Sequence, residues 1–256
     1  MNYNSISPLE SHILQTVSNH NIIVFGVEEI KRLTNWNKHR IHNILQSLEQ
    51  KKLITRLKRN YYVFTDYIPE HIYTIATETI TPSYISFWTA LSYYGYTEQQ
   101  LTTIQLVTTQ QKKPMNLSSF TIQPTTFQPK RFYGYYKNKE NIIIATPEKT
   151  FIDSLYQIHK CGGLDEYCKT LQHAWHTLNQ QKLVNNLLRF QNKSLISRIG
   201  YIIDHLSLPK TTYIKKLEKN KSQTPIKLNP TTTKKGSYNK KWNIIVNHQI
   251  KKETII

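Results

Sequence analysis

Between Asn37 and Gln50 the apolar residues Ile41, Ile44, Leu45 and Leu48 recur at i, i+3, i+4 and i+7, the spacing of a helix with one buried face. The rest of the chain must supply a core for that stripe. The opposite face carries His39, Asn43, Gln46 and Gln50, with Arg40 and His42 on its flanks, side chains able to hydrogen-bond base edges. Directly after it, Leu53 to Leu57 and Tyr61 to Phe64 are two β-rich runs joined across Lys58, Arg59 and Asn60, which predicts a hairpin tipped with positive charge. A polar-faced helix followed by a basic hairpin is the layout of a winged helix-turn-helix, whose second helix enters the major groove.

The residues upstream complete such a unit. Ser7-Pro8-Leu9-Glu10 reads as an N-cap, a proline in the first turn and an acidic dipole partner, opening a helix that buries Leu9, Ile13, Leu14 and Val17. Val27 to Leu33 is a second short helix with Val27, Ile30 and Leu33 inward, and residues 34–37 are the turn into the polar-faced helix. Residues 1–75 are therefore expected to form a DNA-binding domain, the competing reading being a three-helix bundle with a solvated face. In the first reading Asn35, Lys38, His39, Arg40, His42, Asn43 and Gln46 lie along DNA, with Lys38, Lys58 and Arg59 on phosphates.

Residues 76–256 read as a larger mixed domain, a small sheet packed on helices, making the whole chain α+β. Phe87 to Gly95 is expected as a helix capped by Ser86 and stopped by Gly95. Extended runs follow at 104–109, 120–125, 131–137 and 141–145, the last two forming a hairpin, with residues 110–118 as a loop. Thr146-Pro147-Glu148 opens a helix that buries Phe151, Ile152, Leu155 and Tyr156 and turns Asp153 away from them. Apolar stripes through Leu164 to Leu178, Leu183 to Leu188 and Leu195 to Leu206 predict further packed helices, and Trp242 to Asn247 a late strand.

Charge bears on partners. The chain carries a formal net charge of +18, and its last 51 residues hold 12 basic against 2 acidic groups, so a polyanion is the natural partner. Lys234 and Lys235, with Lys240 and Lys241, flank Gly236 to Asn239 and are candidate phosphate or partner contacts. A solvated tail and an AT-rich coding bias account for the same residues equally well. Tyr133, Tyr135 and Tyr136 are read as strand packing in preference to base stacking.

No catalytic chemistry assembles. Cys161, Cys168, His173 and His176 have a zinc-like spacing, but on one helix His173 lies about 140° around the axis from Cys168, which sits on the apolar stripe. No phosphate loop, nucleophile elbow or metal-nuclease pattern is present, so no catalytic residue, metal or cofactor is expected and the chain is not read as an enzyme. The N-terminus lacks the pattern of a signal peptide and no apolar run approaches a membrane span, which leads to a cytoplasmic protein with no membrane partner.

Four segments, PSYISFWTALSYYG (82–95), ATPEKTFIDSLY (145–156), SRIGYIIDHLSLP (197–209) and GSYNKKWNIIVN (236–247), occur after the winged-helix pattern in an order that resembles the AbiEi family of type IV antitoxins and related transcriptional regulators. The resemblance implies promoter binding by the N-terminal domain, with repression of the protein's own operon through inverted repeats. It also implies a C-terminal domain that counters a nucleotidyltransferase toxin without a stable complex. It assigns those four segments no catalytic role.

Overall fold

The computed structural model describes residues 6–99, 101–233 and 235–250. Chain order starts from a reciprocal cap. The Ser7 hydroxyl accepts the Glu10 amide at 3.3 Å while the Glu10 carboxylate accepts the Ser7 amide at 2.6 Å, opening helix α1 (Pro8–Asn19). Strand β1 (Val24–Gly26) leads into α2 (Val27–Thr34), which ends at Asn35 in the left-handed conformation, φ 60°. Helix α3 (Lys38–Gln50) starts at Asn37, whose side chain accepts the Arg40 amide at 2.8 Å. Strands β2 (Ile54–Lys58) and β3 (Tyr61–Phe64) form the expected hairpin, and β1 adds to the free edge of β3. Ile41, Ile44, Leu45 and Leu48 are all buried, in one core with Ile13, Val17, Phe25 and Ile30.

Two apolar residues depart from the pattern. Leu9 and Leu33 are 40% and 38% exposed, and α1 turns Glu10 into the core in place of Leu9. Glu10 is held there because its carboxylate receives Lys51 Nζ at 2.8 Å and Ser47 Oγ at 2.7 Å, joining the start of α1 to the end of α3. Burial opposes ionisation, but the hydrogen bonds from Lys51, the Ser7 amide and Ser47 outweigh it and bring the carboxyl down to about 2. A folded value below the ordinary 4.5 stabilises the fold above pH 4.5, and the contribution is lost as pH falls toward 2. Glu10→Gln should cost about 1–2 kcal/mol at neutral pH and flatten the acid side of the stability profile. Urea unfolding at pH 7 and pH 3 checks this, and an unchanged pH dependence would refute it.

The chain then passes through a turn at Thr65–Tyr67 into α4 (Ile68–Thr79), whose helical geometry breaks at His71 (φ −110°, ψ 19°). Ile68, Ile72, Ile75 and Ala76 share one core with Val24, Leu57 and Val63 on the N-terminal side and Ile85, Leu106, Ile122 and Ile144 on the other. Residue 75, where the sequence pattern sets a domain boundary, thus lies inside a helix buried against both sides.

Beyond it lies a mixed six-stranded sheet. Its strands are β4 (Ser83–Ile85), β5 (Thr103–Thr108), β6 (Met115–Leu117), β7 (Phe120–Thr126), β8 (Tyr135–Lys137) and β9 (Ile143–Ala145), ordered β6-β7-β5-β4-β9-β8. The β5–β7 and β4–β9 pairs are parallel and the others antiparallel. Helix α5 (Phe87–Tyr93) crosses between β4 and β5, and Gly95 after it has φ 71°. Strand β6 lies in the stretch expected to be a loop. The strand expected from Arg131 shrinks to β8, because residues 129–131 form a 3-10 turn. Helix α6 (Pro147–Tyr156) packs on the sheet at β9, and α7 (Leu164–Ala174), α8 (Gln180–Phe190) and α9 (Lys193–His205) pack around α6, with their apolar stripes in one large core. Helix α10 (Lys215–Lys219) and strands β10 (Ile226–Lys227), β11 (Ser237–Asn239) and β12 (Ile244–Val246) close the described chain, in sheet order β10-β12-β11. Trp242 precedes β12 and lies over Gly200 of α9, where an added Cβ would fall 2.3 Å from the indole ring.

Helix α6 overturns the outward placement of Asp153. Every residue from Glu148 to Leu155 is buried, and Asp153 is fully enclosed. It pairs with Lys149 one turn earlier and accepts hydrogen bonds from Tyr84 Oη at 3.0 Å and Ser86 Oγ at 2.9 Å. Lys149 Nζ also donates to Tyr84 Oη at 2.9 Å, and the rings of Tyr84, Phe127, Tyr133 and Phe190 surround it at 5.1–5.4 Å. Burial pushes the Lys149 ammonium down and the Asp153 carboxyl up, and their mutual attraction opposes both shifts. The apolar stripe alone cannot reveal a charged pair that is satisfied within the core.

Candidate nucleic-acid interface

On α3, His39, His42, Asn43 and Gln46 occupy i, i+3, i+4 and i+7, diametrically across from the buried stripe. All four are exposed, and Asn43 Nδ2 lies 3.4 Å from His39 Nδ1. The helix is fixed from below by its four buried apolar residues and at its C-terminal end by the Glu10–Lys51 pair. Its outward face can therefore present amide and imidazole groups from a rigid support.

The hairpin stands beside this face. His42, Gln46 and Glu49 of α3 and Arg56, Arg59, Asn60 and Tyr62 of the hairpin line one open cleft of about 470 Å³. Asn60, with φ 65°, makes the tight reversal, and its carbonyl accepts the Val27 amide at 3.2 Å, so the tip is fastened to the start of α2. Arg56 is exposed in this cleft and did not stand out in the sequence. A basic residue within the strand that leads to a basic turn is the signal that identifies it.

Other proposed contacts have structural partners. Lys58 Nζ donates to the Glu78 and Thr79 carbonyls at 3.1 and 3.2 Å, capping the end of α4, and stands 4.7 Å from the Tyr61 ring. Lys38 pairs with Glu28, whose carboxyl is held below its usual range first by the hydrogen bond from Lys38. The Arg40 guanidinium lies 4.2 Å over the Trp36 ring, and Asn35 serves as the C-cap of α2. Lys38, Arg40 and Asn35 remain exposed.

In the C-terminal tail, Lys234 lies outside the described residues, and Lys235 and Lys240 are exposed. Lys241 pairs with Asp204 at 2.7 Å and Glu218 at 3.2 Å, and the hydrogen bond to Asp204 holds its ammonium above the ordinary range. It fastens the stretch before Trp242 to α9 and α10. Cys161 and Cys168 are buried, which pushes the Cys161 thiol up to about 12 and the Cys168 thiol upward as well, while His173 and His176 face solvent. Among the described residues no group of three or more His, Cys, Asp or Glu side chains is placed to hold a metal, and no helix is long and apolar enough to cross a membrane.

No protein-family model and no curated protein sequence matches the chain. Among solved structures, the RV2827C protein from Mycobacterium tuberculosis superposes with a TM-score of 0.67 at 12% identity, over 94% of this chain and 92% of that one. At such identity the likeness is one of fold, and it extends through both the α3-hairpin region and the sheet beyond α4.

Proposed function

We propose that the chain is a sequence-specific DNA-binding regulator that acts in the cytoplasm on its own promoter, with residues 1–75 forming a winged helix-turn-helix. The observation that carries this reading is the exposed stripe His39, His42, Asn43 and Gln46, set opposite a buried stripe, with His42 and Gln46 sharing a cleft with Arg56 and Arg59. In this reading α3 enters the major groove, where Asn43 and Gln46 suit adenine edges and the histidines can donate to or accept from neighbouring bases. Arg56 and Arg59 hold phosphates beside the groove, and Lys38 exchanges Glu28 for a phosphate. A pair of such units on inverted repeats matches the dimeric use of this motif.

A mobility-shift titration on the protein's upstream region, at two salt concentrations and against scrambled competitor, tests the proposal. Binding should be preferential and should weaken steeply with salt. Arg56→Ala/Arg59→Ala should reduce the salt slope by about 2, one for each phosphate contact removed. Lys58→Ala should leave it unchanged, because that ammonium caps α4. A slope that responds to Lys58 and not to the arginines would exclude the cleft as the phosphate track.

The second unit supports a companion reading as an antitoxin against a nucleotidyltransferase toxin. The segments that carry the AbiEi resemblance supply its internal joints: Tyr84 and Ser86 on Asp153, Lys149 within α6, and Gly200 beneath Trp242. Co-expression with a neighbouring nucleotidyltransferase gene, scored as growth rescue by the full chain, decides this reading.

A further inference from the structure

Three rings of the cage around Lys149 also meet Arg189, Arg131 or Tyr135. The Tyr133 ring also carries the Arg189 guanidinium at 4.1 Å, the Phe190 ring carries that of Arg131 at 4.8 Å, and the Tyr84 ring is stacked by Tyr135 at 4.8 Å with an interplanar angle of 14°. Each guanidinium thus shares one aromatic ring with the buried ammonium. Three cations lie on the rings of one cage, and its carboxylate, Asp153, is taken by Lys149, Tyr84 and Ser86. Among the described residues neither arginine has a carboxylate within ion-pair distance.

The two guanidiniums are held but not used up. Arg131 Nη1 donates to Tyr156 Oη at 2.7 Å and its Nε to the Phe190 carbonyl at 3.4 Å, which fixes the plane and leaves Nη2 without a protein partner among the described residues. Arg189 rests on Tyr133 by its face alone, exposed, with its edge donors open. Arg189, stacked by its face and open at its edge, is arranged for bidentate contact with phosphate, and Arg131 offers a single point of contact through Nη2. Tyr135 lies on edge strand β8, exposed, and rests on Tyr84 as a supported ring.

We infer that this surface of the second unit binds single-stranded nucleic acid, with phosphates on Arg131 and Arg189 and a base stacked on Tyr135. The excess of cations selects a polyanion, and the supported ring selects one with unpaired bases over an acidic peptide or a duplex, whose bases are already stacked. The surface draws on no residue of α3 or its hairpin, so it stands apart from the promoter-binding reading.

Fluorescence anisotropy of the full chain with labelled oligouridylate and oligothymidylate dodecamers, at about physiological ionic strength, tests this inference. Both strands should bind. Arg189→Glu and the milder Arg189→Gln should weaken binding, the former about tenfold or more, and Tyr135→Ala roughly fivefold to a hundredfold through lost stacking. None of these changes should alter promoter-duplex binding, and Arg189→Gln should also leave the thermal midpoint unchanged, whereas Arg56→Ala/Arg59→Ala should leave single-strand binding intact. The inference is overturned if neither dodecamer binds at tens of micromolar protein. It is also overturned if the Arg189 variants bind like the parent, if the hairpin variant alone loses binding, or if an oligoglutamate of equal length competes as well as the oligonucleotides.

Discussion

Asp153→Ala is expected to destabilise the protein by about 3–5 kcal/mol, the cost of leaving a buried charge without its partner. The remaining Lys149 ammonium would sit among four aromatic rings, two of them also carrying a guanidinium, with only Tyr84 Oη left to accept a hydrogen bond from it. Tyr84 and Ser86 would lose their acceptor as well. The pair as a whole is a different quantity from either half. Lys149→Met/Asp153→Leu, which removes both charges and keeps apolar volume, should recover most of the loss. Chemical denaturation of the two variants beside the parent separates the outcomes. A loss under about 1 kcal/mol for Asp153→Ala would show that the node is wetter and more adaptable than its enclosure indicates.

The second large effect concerns discrimination. Asn43→Ala/Gln46→Ala should remove about 2–4 kcal/mol of preference for the promoter over scrambled DNA, roughly 30- to 1,000-fold, because each bidentate amide contact to a base contributes on that scale. Both side chains are exposed, so the fold should be unaffected. Binding to scrambled DNA should change little, since the arginines of the hairpin cleft remain. Equal loss on both DNAs would remove Asn43 and Gln46 from base contact and return α3 to a solvated surface.

What the sequence reveals depends on whether a residue's role repeats along the chain. The α3 stripe, the hairpin from Ile54 to Phe64 and the stripes of α7 and α9 recur over several turns or alternations, and the structure places them as the spacing predicts. Strands β1, β4 and β6 have three residues each, too few for alternation to register. Buried Glu10 and Asp153 escape the hydrophobic pattern for a different reason. Their burial depends on Lys51, which is distant in sequence, and on Lys149 together with Tyr84 and Ser86 from another element. The candidate interface divides in the same way. Periodicity assembles His39, His42, Asn43 and Gln46, but only the fold reveals that Lys58 caps α4 while Arg56 joins Arg59 in the cleft.

Helix α4 touches the hairpin twice, through the core it shares with Leu57 and Val63 and through the Lys58 ammonium on its final carbonyls. The consequence is thermodynamic linkage. If a ligand on the hairpin favours one setting of β2 and β3, it favours one setting of α4 and the sheet behind it, and a ligand on the sheet acts on the hairpin by the same factor. Truncation at residue 75 would remove Ala76 and Thr77 from that helix's buried face, strip away the sheet residues Ile85, Leu106, Ile122 and Ile144, and uncover the core they share with Val24, Leu57 and Val63. The smallest heritable unit of this protein is therefore larger than residues 1–75, and selection on either side of α4 is felt by the other.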